Sequence, residues 1–181
     1  MFRRAALAAG LIVVLGISGL WIRERLAERC PEVGAARPIA ASVTATDAWR
    51  FADVTVGSMH WSIEPQVTAD FGAYIRPVPL PQSHPVAVGI TVKASEPDTV
   101  RAWRTTCLRL VRGRESVTRP AASDGDLITS GGHPAFYYRF DGADGFPEWP
   151  PGDTVDIEIV FVVDGSPYLL QLPSVPIGSM G

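Results

Sequence analysis

Two patterns of apolar residues divide this chain. Residues 5–22, AALAAGLIVVLGISGLWI, form an unbroken uncharged run between Arg3-Arg4 and Arg23-Glu24-Arg25. As a helix these eighteen residues rise about 27 Å, close to a hydrocarbon core of about 30 Å. Trp21 stands where an interfacial aromatic belongs. A cleaved leader has a shorter apolar region and a small-x-small site soon after it. Here the charged stretch RERLAER follows instead, so the run predicts an uncleaved signal anchor. Four arginines (Arg23, Arg25, Arg29, Arg37) on its C-terminal side favour a cytoplasmic domain by charge count. The short Arg-bearing tail and the β-rich remainder favour export, and the exported orientation is the one expected.

From residue 49 the apolar period becomes two. FADVTVG and SMHWSI alternate and meet at Gly57-Ser58, which predicts a hairpin. Val86, Val88, Ile90 and Val92 share one face of a strand. In TTCLRLVRG, Leu108 and Leu110 share one face, and Cys107, Arg109 and Val111 the other. Phe136, Tyr138 and Phe140 align in AFYYRFD. Val155, Ile157, Ile159, Phe161 and Val163 line one face of TVDIEIVFVV. Asp164-Gly165 then predicts a tight turn into a strand with Tyr168, Leu170 and Leu172 together. Residues 64–85 carry five prolines and read as a long connection. No sustained 3.6-residue period follows Arg29. The expected fold class is therefore all-β, an antiparallel immunoglobulin-like β-sandwich behind one transmembrane helix. The expected divisions are an N-terminal tail (1–4), the helix (5–22), a juxtamembrane stalk (23–48) and the sandwich (49–181). The stalk reading rests on Pro31 and on the small, polar composition of PEVGAARPIAASVTATDA, against the alternative of an edge strand at 39–43.

The domain resembles immunoglobulin-like modules tethered to bacterial membranes and is similar to uncharacterised membrane-anchored proteins of actinobacteria. The likeness rests on FADVTVG-SMHWSI, on VAVGITVKA leading to the single cysteine of TTCLRLVRG, and on FPEWPPGDTVDIEIVFVVDG. The resemblance implies a fold and a cell-membrane, extracytoplasmic location. It supplies no catalytic residue, and the Cys…Trp…Cys spacing of antibody domains is missing.

Candidate chemistry is sparse. His60, His84 and His133 have no metal-ligand spacing, so no metal or cofactor is expected. The carboxylates of 123–126 and 141–145 lie in Asp-Gly turn sequences without a full calcium-loop pattern. Gly-x-Ser-x-Gly and phosphate-loop motifs are absent. Cys107 reads as a packed thiol, with a bridge to Cys30 and an intermolecular Cys30 pair both left open. Trp149 of FPEWPPGD reads as a plug at one end of the core rather than a binding lip.

Charge adds one candidate surface. Residues 101–119 carry a net +5, whereas residues 31–181 as a whole carry −6. The overall −3 argues against nucleic acid. Arg109, Arg112 and Arg114 are thus the expected partner-binding residues, facing an acidic protein or an anionic envelope component. Their plainer role is the solvent face of a strand. The functional expectation is a non-enzymatic binding or accessory module held at the membrane by residues 5–22. The alternatives are a small metal-dependent hydrolase built from loop carboxylates and histidines, or a structural subunit of an envelope complex.

Overall fold

The structure, a computed structural model, describes residues 30, 34–45, 50–69, 86–121, 125–140 and 148–179. Eleven strands and one short helix occupy them. In chain order they are β1 (Arg37–Pro38), β2 (Ser42–Ala45), β3 (Arg50–Val56), β4 (Met59–Ala69), β5 (Ala87–Lys93), α1 (Pro97–Ala102), β6 (Arg104–Arg112), β7 (Glu115–Pro120), β8 (Asp126–Ser130), β9 (His133–Phe140), β10 (Thr154–Val163) and β11 (Ser166–Ser179).

Local turn chemistry sets the hairpins. Val56 pairs with Met59 across Gly57-Ser58. Val163 pairs with Ser166 across Asp164-Gly165. Asp164 and Gly165 have φ of 49° and 75°. Two successive positive φ values give a turn whose twist matches the strands, and Asp-Gly adopts them readily. The alternation also sorts the faces as read. Val155, Ile157, Ile159, Phe161 and Val163 are all buried, as are Val86, Val88, Ile90 and Val92. They meet Leu108, Leu110, Leu170 and Leu172 in one contiguous core.

The immunoglobulin-like sandwich does not form. The strands belong to a single curled half-barrel sheet, ordered β7-β6-β10-β11-β4-β5-β9-β8. A sandwich keeps two sheets unbonded to each other. Here β11 joins both arms, antiparallel to β10 and then parallel to β4 at Ile177–Ser179. A bulge lies just before the pairing with β4 begins. Between Ile157↔Leu172 and Val155↔Val175, β11 holds one residue more than β10. Ser174 has φ 53° there, and its N–H donates to Asp156 Oδ1 at 2.8 Å. Such an insertion bends its strand. The sheet is also not wholly antiparallel, because β1 runs parallel to β11 as well.

β4 shares one edge between two partners, β3 as far as Ile63 and β11 from Val67. Pro65 sits in the gap between them, paired only with Ile90 of β5. A residue without an N–H is accommodated where one flank has no neighbour. The proline-bearing connection therefore starts later than its composition suggests.

α1 and four aromatic rings close one end of the core. Trp103 stacks on Phe161 with centroids 3.6 Å apart, and Trp61 meets Trp103 edge-on at 5.5 Å. Trp61 Nε1 donates to the Thr99 carbonyl at 2.8 Å, and the Tyr138 hydroxyl donates to the Trp103 carbonyl at 3.3 Å. Aromatic pairs of this kind add about 0.5–1.5 kcal/mol beyond their burial.

Within residues 23–48, read as a stalk, two short strands pair with the body of the fold. β1 lies beside Tyr168–Leu169 of β11, and β2 is antiparallel to β3. Cys30 is joined to Cys107 by a disulfide with Cα atoms 5.8 Å apart. Cys107 and its β10 neighbour Val160 are buried, yet both lie outside the main core cluster.

The membrane anchor is corrected as well. Among the described residues no helix is long and apolar enough to cross a membrane. The six residues of α1 rise about 9 Å against the ~30 Å required. The run 5–22, on which the anchor was read, lies outside the described residues. A membrane partner, a single-pass topology and a cell-membrane location are left without structural support.

Candidate functional site

The three arginines do not converge on one surface. Arg109 lies mid-strand in β6, directly across from Glu158 of β10. Its Nη1 donates to Glu158 Oε2 at 3.2 Å, and Gln171 Nε2 donates to Glu158 Oε1 at 3.2 Å. Arg109, Glu158 and Gln171 thus form a polar row across β6, β10 and β11. Arg112, three residues on, falls on the opposite face by strand alternation. It pairs with Asp153 and lies over the Trp149 ring, 5.9 Å from the centroid. Asp153 is held there because its carbonyl accepts the Ile177 N–H at 2.8 Å. Trp149 is buried, as its plug role requires, and its Nε1 donates to Glu115 Oε2 at 2.8 Å. Arg114 is exposed on the two-residue turn between β6 and β7. Arg101 pairs with Asp98 one helical turn away at 3.6 Å. Much of the basic excess in 101–119 is thus met by carboxylates from α1, β10 and the segment before it.

The metal-dependent hydrolase is corrected. Among the described residues no group of three or more His, Cys, Asp and Glu side chains could hold a metal ion. His60 Nε2 stands 3.8 Å from Asp53 Oδ1, and its Nδ1 is 3.2 Å from Thr55 Oγ1, all on the exposed outer face of the β3–β4 hairpin. A flat, solvated sheet face offers no pocket in which such a trio could work on a bound substrate. His133 is exposed at the start of β9. His84 and the carboxylates Asp124, Asp141 and Asp144 lie outside the described residues.

A concave feature lies elsewhere, on the outer face of β4, β5 and β9 beside the end of β11. It is a depression of about 300 Å³ lined by Gln66, Thr68, Ala87, Val88, Gly89, Tyr137, Arg139 and Ser179. Register explains it. Gln66, Gly89 and Arg139 lie in one cross-strand row, and Thr68 pairs with Ala87 in the next. In these two rows the middle strand contributes no side chain beyond the Ala87 methyl group, so its neighbours rise around it as walls. Tyr137 leans diagonally into the gap: a Cβ at Gly89 would stand 2.7 Å from its hydroxyl oxygen. Glycine is required at 89 by this close approach. Two rows further on, the only lysine is spent on an ion pair, with Lys93 Nζ 2.7 Å from Glu64 Oε2 in the row between.

Sequence reasoning missed this site. The glycine of VAVGITVKA was visible as the small residue of an alternating strand, but Gln66 and Thr68 fell in a stretch read as loop. The row forms only when β4, β5 and β9 are in register.

No family model, no curated protein and no solved structure matches this chain. The resemblance to immunoglobulin-like, membrane-anchored modules is therefore corrected. The fold departs from it in the single curled sheet, and no helix among the described residues supplies the tether.

Proposed function

We propose that this domain is a binding module, not a catalyst, and that it seats a small polar ligand in the depression between β4, β5, β9 and the end of β11. One observation carries the reading. Gly89 lets the Tyr137 ring lie low across the centre of the sheet face, and Gln66, Thr68, Arg139 and Ser179 border the depression beside it with polar groups. Rigid strands position all of these side chains, which favours a preformed site. Among the described residues no carboxylate, imidazole or thiol stands in the lining, whereas acid–base and nucleophilic catalysis draw mostly on those groups.

The test is a ligand panel followed by amide NMR shifts of the full chain. Saturable shifts centred on Gly89 and Tyr137 are expected. They should be lost in Gly89→Ala, whose methyl group must displace the Tyr137 ring. Shifts that survive Gly89→Ala unchanged would refute the assignment of the site.

A further inference from the structure

We propose that β8 is a dimerisation edge, onto which a second copy of this chain adds its own β8 as an antiparallel strand. β8 lends no residue to the depression, so this surface is independent of the ligand proposed above. The strand ends the sheet order and is paired on one side only, with β9. Among the described residues three large apolar side chains are exposed, and two of them, Leu127 at 56% and Ile128 at 37%, are neighbours in this strand. Leu127 sits beside Phe136 on the core-facing side, and Ile128 beside Ala135 on the outer side. Both faces of the edge are thus apolar. A sheet edge is usually guarded by charge or proline. The opposite end has such a guard, since β7 contains Glu115 and Arg119 and ends at Pro120. β8 has a single charge, Asp126 at its first position.

The hairpin fixes which backbone groups are free. β8 and β9 meet across Gly131-Gly132, with Ser130 opposite His133. A two-residue turn is flanked by a hydrogen-bonded pair, and bonded and non-bonded pairs alternate along an antiparallel ladder. Pro134 agrees with this phase: it has no N–H, and its carbonyl accepts from the Ala94 N–H at 3.3 Å, away from β8. Asp126, Ile128 and Ser130 therefore turn their backbone groups toward β9, and Leu127 and Thr129 turn theirs to the open side. The open groups are self-complementary about Ile128. With a two-fold axis there, perpendicular to the sheet, Leu127 exchanges both hydrogen bonds with Thr129 of the second copy, and the symmetric pair does the same. Ile128 then faces its own copy in the close, non-bonded position, about 4.5 Å between Cα atoms. Asp126 faces Ser130, so no like charges meet across the ladder. Such a contact closes after two copies, whereas β8 laid on β7 would run on as an open array. The ladder is short, five residues from each copy, so its area falls below the ~1,200 Å² of a standard interface and a weak, concentration-dependent dimer is expected.

The experiment is sedimentation of the full chain over a range of concentrations, for wild type, Ile128→Asp, Ile128→Lys and an equal mixture of the two variants. The wild type should pass from monomer to dimer. Each variant alone should dimerise about tenfold more weakly or worse, because like charges then stand directly opposite. The mixture should recover the dimer, since the register centred on Ile128 sets the introduced carboxylate against the introduced ammonium. Val43→Lys, on the open edge of β2, should change nothing. Amide hydrogen exchange of the wild type needs no substitution: protection of Leu127 and Thr129 should rise with concentration, and that of Ile128 should not. A wild type that stays monomeric up to ~1 mM would overturn the proposal. So would association that persists in both single variants, a mixture no better than its parts, or exchange at Leu127 and Thr129 that ignores concentration.

Discussion

Replacing Cys30 with serine removes a cross-link between residues 77 positions apart and leaves the sheet pairings untouched. Cys30 is the better of the two positions because it is only half-buried, whereas a serine at 107 would bury an extra hydroxyl. In the chain-entropy picture, opening a loop of 77 residues returns about 15 cal/mol/K to the unfolded chain, ~4.5 kcal/mol at 25 °C. Measured disulfide effects usually run to 2–4 kcal/mol. A loss of about 3–4 kcal/mol is therefore expected. In a chain of this length that is a fall in Tm of about 10 °C. Urea unfolding followed by circular dichroism supplies the second readout. The m-value should rise, because an unfolded chain freed of its cross-link exposes more surface. The comparison must use wild-type protein shown by thiol titration to be oxidised. A change in Tm below about 2 °C, or a loss of stability with an unchanged m-value, would refute the argument that the bridge acts by restraining the unfolded chain.

Arg112→Ser should lower stability by about 1 kcal/mol through loss of the Asp153 pair and the Trp149 ring contact, read by urea unfolding. Arg114→Ser, on an exposed turn, should stay within about 0.5 kcal/mol. Trp103→Ala should cost about 3–5 kcal/mol and abolish the near-ultraviolet dichroism of the Trp61–Trp103–Phe161 cluster. Ser174→Gly should raise stability by a few tenths of a kcal/mol, up to about 1, since glycine adopts φ 53° without steric penalty; calorimetry would show a Tm that is unchanged or higher, and a lower one would contradict the bulge geometry.

Local physics made part of this molecule readable from its sequence. A residue in a strand faces away from its neighbours, so the alternation in TVDIEIVFVV assigned five core residues before any partner was known. Asp164-Gly165 and Gly57-Ser58 marked hairpins because the turn conformation is a property of those two residues themselves. Burial of Trp149 followed from the size of its apolar surface. The short elements were harder. β8 has four exposed residues in five and no alternation of burial, so nothing in DLITS distinguishes it from a loop until β9 lies beside it. α1 is too short to display a helical period.

What tertiary structure decided is what depends on residues far apart in the chain. A two-residue period says which face is buried but not which strand lies alongside, so a sandwich and a curled half-barrel share one pattern. The choice shows at the end of β11, where Ile177 is bonded to Asp153 before β10 and paired with Val67 of β4 at once, so one strand joins both arms. Two cysteines 77 positions apart became a bridge because the fold sets their Cα atoms 5.8 Å apart. The arginines of 101–119 were legible as a cluster of charge, yet their partners Glu158 and Asp153 came from elements that only folding places beside them. The depression at Gly89 is the same case: its lining comes from four strands, and the missing side chain admits the Tyr137 ring only when β9 lies in register beside β5.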